Sequence, residues 1–285
     1  MRGQKPAARR GSAAWYHTGI TFNSGPSWKE LRQFTTGVLR SFGVGKRSYE
    51  DHVLCEAGYL IEYITNLEGA SFDPSNAISN TVTNSVCSVV LGFRYNFDDP
   101  TYQKLLQCLE ENTRLSGGSF LLNVLPASSF FFKKTQQTIV NNLCEYKRIF
   151  QPIIDEHRRN LNPDDLNDFL SVYLNECKVA SDDDKYTDIN EKHLVFLIVQ
   201  LFAAGTGTVA STLRWAFLLV TKSPDVQRQV QEELDKVVGR SRLPKLSDRP
   251  NLPYTEATLL EVQRFGSIVP LCLPHCAGST TTFQV

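Results

Sequence analysis

The sequence predicts a mainly α protein with a little β-structure at its C-terminus. Three observations carry that expectation. Apolar residues recur at helical spacing through most of the chain between Ser27 and Phe265. Start and stop signals bracket those stretches, with Ser, Asp or Pro in front and Gly or a cation behind. Strand-like patterning is confined to IVPLCL at 268–273 and TTTF at 280–283.

Composition narrows the possibilities. A chain of 285 residues suits one large domain or two ordinary ones. Basic and acidic residues balance at 30 each, so bulk charge gives no reason to expect nucleic acid. An apolar share of 41% with 11% aromatics supports a packed core and argues against global disorder. The seven cysteines, at 55, 87, 108, 144, 177, 272 and 276, form no disulfide ladder, which fits a reduced, cytosol-facing compartment. Cys272, His275 and Cys276 could be half of a zinc site, but no second cluster completes one. The first ten residues are basic, and no apolar signal-peptide core follows them.

Residues 1–18 lack periodicity and read as an unstructured basic lead-in. Residues 19–25 are turn-rich. SWKE at 27–30 has the capping-box form, with Ser in front of the helix and Glu three residues on. Trp28, Leu31, Phe34, Thr35 and Val38 follow at helical spacing, among the cations Lys29, Arg32, Arg40, Lys46 and Arg47. Such a basic face is ordinarily solvated surface, or it meets an acidic partner. Residues 49–67 form a helix broken by GASFDP at 69–74. Asp73-Pro74 opens the next, which runs to Leu91 with a polar side at Asn76, Asn80 and Asn84. Asp98-Asp99-Pro100 starts another, through Leu115, with Ser116, Gly117 and Gly118 expected to end it. The run from Phe120 to Phe132 is sticky, either a contact patch or the lining of an apolar pocket. Residues 135–159 form a long amphipathic helix, and polar loops at 160–168 and 180–188 flank a short helix around 169–177.

Residues 188–221 are the longest apolar stretch. Asp188 and Glu191 give it a D-x-x-E start, and roughly thirty residues make a helix of about 45 Å. Its faces are apolar almost all round, so it is expected to run through a core. Midway stands AAGTGT at 203–208, whose two glycines each cost about 1 kcal/mol relative to alanine. Three readings stay open: a membrane span, opposed by Gln200, the hydroxyls and Arg214; a buried helix whose glycines admit a neighbouring helix; and a helix against which a flat ligand lies. Ser223-Pro224 and Gly239 bracket the next helix, and residues 253–265 form the last. In it Glu261 and Arg264 share a face and can pair. Their neighbours Leu259, Leu260, Val262 and Phe265 suggest a buried setting, where the pair would need further partners.

Several separated motifs stand in order: WKELR at 28–32, FAAGTGT at 202–208 followed by LRW at 213–215, LPYTEA at 252–257, and EVQRFGSIVPL at 261–271. Each is weak alone. In this order and in helical contexts they resemble the microsomal cytochrome P-450 superfamily, family 2 in particular, from about Gly19 onward. The resemblance implies the central portion of that fold, helices about C to K, with residues 19–285 a partial domain. It implies haem held by a cysteine thiolate, and hydroxylation or epoxidation of apolar lipids or xenobiotics with O2 and reductase-supplied electrons. Carried across, Trp28, Arg32 and His275 would meet the haem propionates. Ala204 and Gly205 would let the helix approach the haem, and Thr208 would hold water and help deliver protons. Glu261 and Arg264 would be structural, while Phe120, Phe202, Ile268, Val269 and Leu271 would line the substrate pocket. Lys29, Arg40 and Lys46 match positions that meet NADPH-cytochrome reductase, and the family sits on the cytosolic face of the endoplasmic reticulum.

The chain also departs from the pattern. Gly207 stands where the family usually has an acid, and Val209 replaces a second hydroxyl. No cysteine lies in an F-x-x-G-x-x-x-C-x-G context, and the arginine that joins the E-x-x-R pair is also absent from these residues, as is an N-terminal anchor. The expectation is therefore a truncated chain unable to ligate haem iron by itself, and cytoplasmic if anchorless. The alternatives are a non-catalytic helical protein that at most binds reductase, or a carrier for apolar ligands.

Overall fold

A computed structural model describes residues 19–21, 23–42, 49–124, 133–182, 189–270 and 272. Among them the helices are α1 (Pro26–Ser41), α2 (Glu50–Thr65), α3 (Ser75–Val90), α4 (Pro100–Val124), α5 (Lys133–Arg159), α6 (Phe169–Asp182), α7 (Glu191–Lys222), α8 (Pro224–Val237) and α9 (Pro253–Gly266). A 3-10 turn at Leu246–Asn251 precedes α9, and no strand occurs among the described residues. In the expected β-segment, residues 268–270 form a bend and turn, and Cys272 lies in no strand. The remainder of that expectation, and the 1–18 lead-in, lie outside the described residues. The chain divides into two compact units, residues 1–210 and 211–285, with the boundary inside α7.

Unit 1 is organised by one apolar core. Leu31 and Val38 enter it from α1, Cys87 and Val90 from α3, and Tyr102 and Leu105 from α4. Phe150 and Ile154 come from α5, Phe169 and Tyr173 from α6, and Leu194, Leu197, Ile198 and Phe202 from α7. The periodic positions of α7 thus bury one side, while Ala203, Ala204 and Val209 remain exposed. Residues 193–222 have the length and apolarity of a membrane span. In the fold, the first half of that stretch gives its apolar side to the core of unit 1.

Local chemistry explains several of the helix ends. Asp99 Oδ1 accepts from the backbone N–H groups of Thr101 (2.7 Å) and Tyr102 (3.0 Å), fixing the start of α4. Three expectations need correction. First, α1 begins at Pro26 with Gly25 at the cap, two residues ahead of the expected Ser27 cap. Proline's fixed φ suits the first turn, and Gly25 at φ 93° lets the chain turn into it. Second, α4 runs through Gly117 and Gly118 to Val124, since good helix formers on both sides outweigh the pair's local cost. Third, the polar side of α3 is not uniformly solvated, since Asn84 is fully buried. Its amide donates to Tyr95 O (2.9 Å) and accepts from Tyr95 N–H (3.0 Å), so Asn84 ties down the loop after α3.

Unit 2 holds the last part of α7 with α8 and α9. Glu233 of α8 caps α9: its carboxylate accepts from the N–H groups of Tyr254 (2.9 Å) and Thr255 (2.7 Å) and from the Thr255 hydroxyl (2.7 Å). It supplies the acceptor that Leu252, at the cap position, lacks. Trp215 packs edge-to-face on Phe265 with ring centroids 5.5 Å apart.

Candidate functional site

The motif residues of unit 1 are joined by a chain of hydrogen bonds centred on Gln200. Gln200 Oε1, on α7, accepts from the backbone N–H groups of Ile20 (2.7 Å) and Thr21 (3.3 Å). Ile20 O in turn accepts from the Trp28 indole N–H at 2.8 Å. Arg32, one turn further along α1, lies over the Trp28 ring at 5.1 Å. Gly19 makes this approach possible. It has φ +87°, and a Cβ there would come within 2.4 Å of Gln200 Oε1.

Gln200, Ala204 and Thr208 fall on one stripe of α7 at four-residue spacing. Ala204 is exposed and Thr208 half-buried, and the Thr208 hydroxyl donates to Ala204 O at 2.7 Å. The strip is therefore low, small and bordered by a hydroxyl. Arg32 is exposed and pairs with no acid among the described residues. A cation without a carboxylate and a flat helix face are thus linked through α1 and Gln200.

The glycines between them answer a different need. A Cβ on Gly205 would lie 3.0 Å from Val86 Cγ2 of α3, and one on Gly207 would lie 3.1 Å from Thr113 Oγ1 of α4. Both face neighbouring helices. Thr206 is buried and donates to Phe202 O at 2.7 Å. Phe202 has no exposed surface and packs on Phe150 at 5.3 Å between centroids, inside the core.

In unit 2, Arg264 makes two hydrogen bonds of 2.7 Å to Glu261. The pair is not buried as its neighbours suggested. The side chains are 70% and 59% exposed, because Val262 is the residue of that turn that faces inward. Ile268 is half-buried and Val269 exposed. Phe120 lies in α4, but its side chain, like Lys46, Leu271 and His275, is outside the described residues. Lys29 and Arg40 are exposed, eleven residues apart on nearly the same face of α1.

A cleft of about 770 Å³ lies elsewhere in unit 1, lined by Arg158, Leu174, Cys177, Ile189 and Glu191. Thirteen residues, or about 20 Å of helix, separate Glu191 from Ala204, so this cleft is not the Ala204 strip. Burial pushes the Cys177 thiol up to about 12, which makes it an inert wall residue there. No cluster of three or more metal-ligating side chains occurs among the described residues.

Sequence reasoning missed the Gln200 link. A glutamine interrupting an apolar run was its single visible sign, because its partners are backbone N–H groups.

The comparisons with known proteins bear on the same stretches. The Cytochrome P450 family model matches residues 1–284. Cytochrome P450 2F2 of Mus musculus is 37% identical over 269 residues, covering 93% of this chain and 54% of that protein. Cytochrome P450 2J3 of Rattus norvegicus is 39% identical over 259 residues, covering 90% and 51%. Cytochrome P450 2J2 of Homo sapiens is 36% identical over 282 residues, covering 98% and 56%. The chain spans about half the length of the curated relatives it matches. A match along nearly its whole length, with a mainly helical fold and the motifs carried on α1, α7 and α9, makes this chain a member of the cytochrome P450 family.

Proposed function

We propose that these residues contribute the helical portion of a haem-thiolate monooxygenase that oxidises apolar substrates with O2 and electrons from a reductase. The observation that carries this reading is the linked pair of features in unit 1: the exposed strip at Ala204 and Thr208, and the acid-free cation Arg32 tied to it through Trp28, Ile20 and Gln200. Both suit haem. A flat macrocycle needs a helix face without long side chains, and a propionate needs a cation. The Trp28 N–H donates to Ile20, so Arg32 is the member of that pair left to meet a propionate, with the indole beneath it holding its orientation. Ala204 admits the ring, and Thr208 is assigned to holding water and helping to deliver protons. Bound haem with a cysteine thiolate supplies the electron push that favours O–O cleavage. None of the seven cysteines here has the ligand-loop context, so the thiolate is assigned to none of them.

The finer roles follow the same reading. Ile268 and Val269 are assigned to the substrate pocket with Leu271, and His275 to a second propionate contact. Glu261 and Arg264 are assigned to structure. Lys29, Arg40 and Lys46 are assigned to contact with an acidic reductase, and the endoplasmic reticulum membrane is the expected location. Residues 19–285 are assigned to the family domain and 1–18 to a lead-in.

The test is a hemin titration of the 285-residue chain followed by tryptophan fluorescence, with a reduced carbon-monoxide difference spectrum of the loaded protein. Saturable quenching that Arg32→Ala weakens about tenfold, the scale of a lost charge-assisted hydrogen bond, is expected. No saturable binding overturns the haem assignment to Ala204, Thr208 and Arg32. It then favours the reading in which the chain is a helical protein without the chemistry. A thiolate-type Soret band would assign the ligand to one of the chain's own cysteines.

A further inference from the structure

His157, in the last turn of α5, stands where three helices meet. Its Nδ1 lies 2.9 Å from Ile153 O, one turn back in α5. Its Nε2 lies 3.1 Å from Leu91 O, at the C-terminal end of α3. A carbonyl oxygen accepts and cannot donate, so both ring nitrogens must carry hydrogen for both contacts to be made. A neutral imidazole carries one. Its second nitrogen would then point a lone pair at a carbonyl oxygen about 3 Å away, in a site where the His157 side chain is 18% exposed.

A counter-ion is in place. Asp168 Oδ2 lies 3.7 Å from His157 Nε2. Asp168 caps α6: its Oδ1 accepts from Ser171 N–H and its Oδ2 from the Ser171 hydroxyl, each at 2.8 Å. The chain leaving α3 crosses close to the same carboxylate. Gly92 has φ +78°, and a Cβ there would come 2.9 Å from Asp168 Oδ2. The helix dipoles agree in sign, with the cation at the carboxyl ends of α3 and α5 and the carboxylate at the amino end of α6.

We propose that His157 and Asp168 form a pH-gated clasp that fastens α3, α5 and α6 together, closed while the imidazole is doubly protonated and released when it loses a proton. Asp168 is the charged group that faces the ring from α6. From α3 the ring meets the Leu91 carbonyl, and from α5 it meets the Ile153 carbonyl, with Glu156 and Arg158 its chain neighbours on the exposed side.

The Asp168 carboxylate holds His157 above its ordinary value of 6.5; burial opposes this, and the two carbonyls add to the rise. Burial alone would raise Asp168, but hydrogen bonding to His157 and Ser171 outweighs it and keeps the carboxyl below its ordinary value of 3.8. The folded-state value of His157 is raised. Its stabilisation is therefore complete below 6.5 and is lost as pH climbs through the folded value. Asp168 is depressed, so its share is present above 3.8 and is lost as pH falls through its folded value. The clasp is closed from mildly acidic pH to somewhat above 6.5 and opens on the alkaline side.

Nitrogen NMR of the histidine-labelled chain between pH 6 and 9 tests this directly, with His157→Gln identifying the signal among the five histidines. Two protonated ring nitrogens at pH 6 and a titration midpoint above 6.5 are expected, and a midpoint at or below 6.5 overturns the proposal. Urea unfolding supplies a second readout. Relative to His157→Gln, the folding constant of the unaltered chain should fall by up to about tenfold per pH unit between 6.5 and the folded value, and level off above it. Parallel pH profiles for the two proteins also overturn it. Asp168→Asn keeps a good cap and removes the charge. It should lower the pH at which His157 titrates, and an unmoved midpoint removes Asp168 from the clasp.

Discussion

Units 1 and 2 are made of the same kind of amphipathic helix, yet they close their apolar faces to different degrees. In unit 1, Phe150, Phe169, Tyr173, Leu194 and Phe202 have no exposed surface. Among the described residues of unit 2, Val238, Leu252 and Val262 are the buried apolar side chains, while Phe217, Leu218, Leu259, Leu260 and Phe265 are 39–56% exposed. Helical periodicity says which face of a helix is apolar. It does not say whether anything covers that face. The same contrast decides what an ion pair or an aromatic contact contributes in each unit.

The largest expected effect is the sharpest test of that contrast. Phe202→Ala removes a ring from the centre of unit 1 and should cost about 3–5 kcal/mol of unfolding free energy. Phe265→Ala removes a ring that is 55% exposed and touches Trp215 edge-on, and should cost less than about 1 kcal/mol. Equal losses in chemical denaturation would mean that Phe265 is covered in solution, and the contrast between the units would fail.

Two Arg–Glu pairs carry the comparison into electrostatics. Arg94 Nε lies 2.8 Å from Glu56 Oε1, and Arg264 Nε lies 2.7 Å from Glu261 Oε2. The lengths match, but Glu56 is 2% exposed and Glu261 59%. Arg94 also lies over the Tyr59 ring at 3.8 Å and is held above its ordinary value, chiefly by hydrogen bonding to Glu56. Arg94→Ala would strand a buried carboxylate and should cost about 3 kcal/mol. Glu261→Gln should leave the denaturation midpoint where it was, since water and salt already screen that pair. A large loss from Glu261→Gln would mean that the pair is buried in solution.

How much of this was legible in the sequence follows from the range of each interaction. Pro224 and Gly239 bracket α8 as read, because they act on the backbone within a turn or two. Gly117 and Gly118 misled, because two glycines do not overrule the helix formers around them. Arg32 and the strip at Ala204 and Thr208 were legible through motif order. Gln200 was not, because it reaches backbone N–H groups about 180 positions away, and those donors look the same whatever the residue. His157 and Asp168 escaped for the same reason, since carbonyl oxygens of Leu91 and Ile153 complete the clasp. Exposure of the Glu261–Arg264 pair was also hidden, because sequence neighbours on a helix point in different directions.

The smallest predicted effect bears on why α7 holds two glycines at its middle. Replacing either with alanine gains about 1 kcal/mol of helix propensity. Whether that gain survives depends on the neighbour. At Gly205 the added Cβ meets Val86 Cγ2 at 3.0 Å, and a valine in a helix has one strongly preferred rotamer, so it cannot turn away cheaply. Gly205→Ala should therefore destabilise, by about 1 kcal/mol net of the propensity gain. At Gly207 the Cβ meets Thr113 Oγ1 at 3.1 Å. Thr113 is exposed and its hydroxyl bonds Leu109 O at 2.8 Å, and threonine in a helix has a second rotamer open to it. Gly207→Ala should stabilise by up to about 1 kcal/mol. Opposite signs would mean that packing against α3 fixes Gly205 while packing leaves Gly207 free to vary. Stabilisation by both would remove the packing reason for Gly205. It would then move the explanation of that glycine to the ligand proposed for the neighbouring strip.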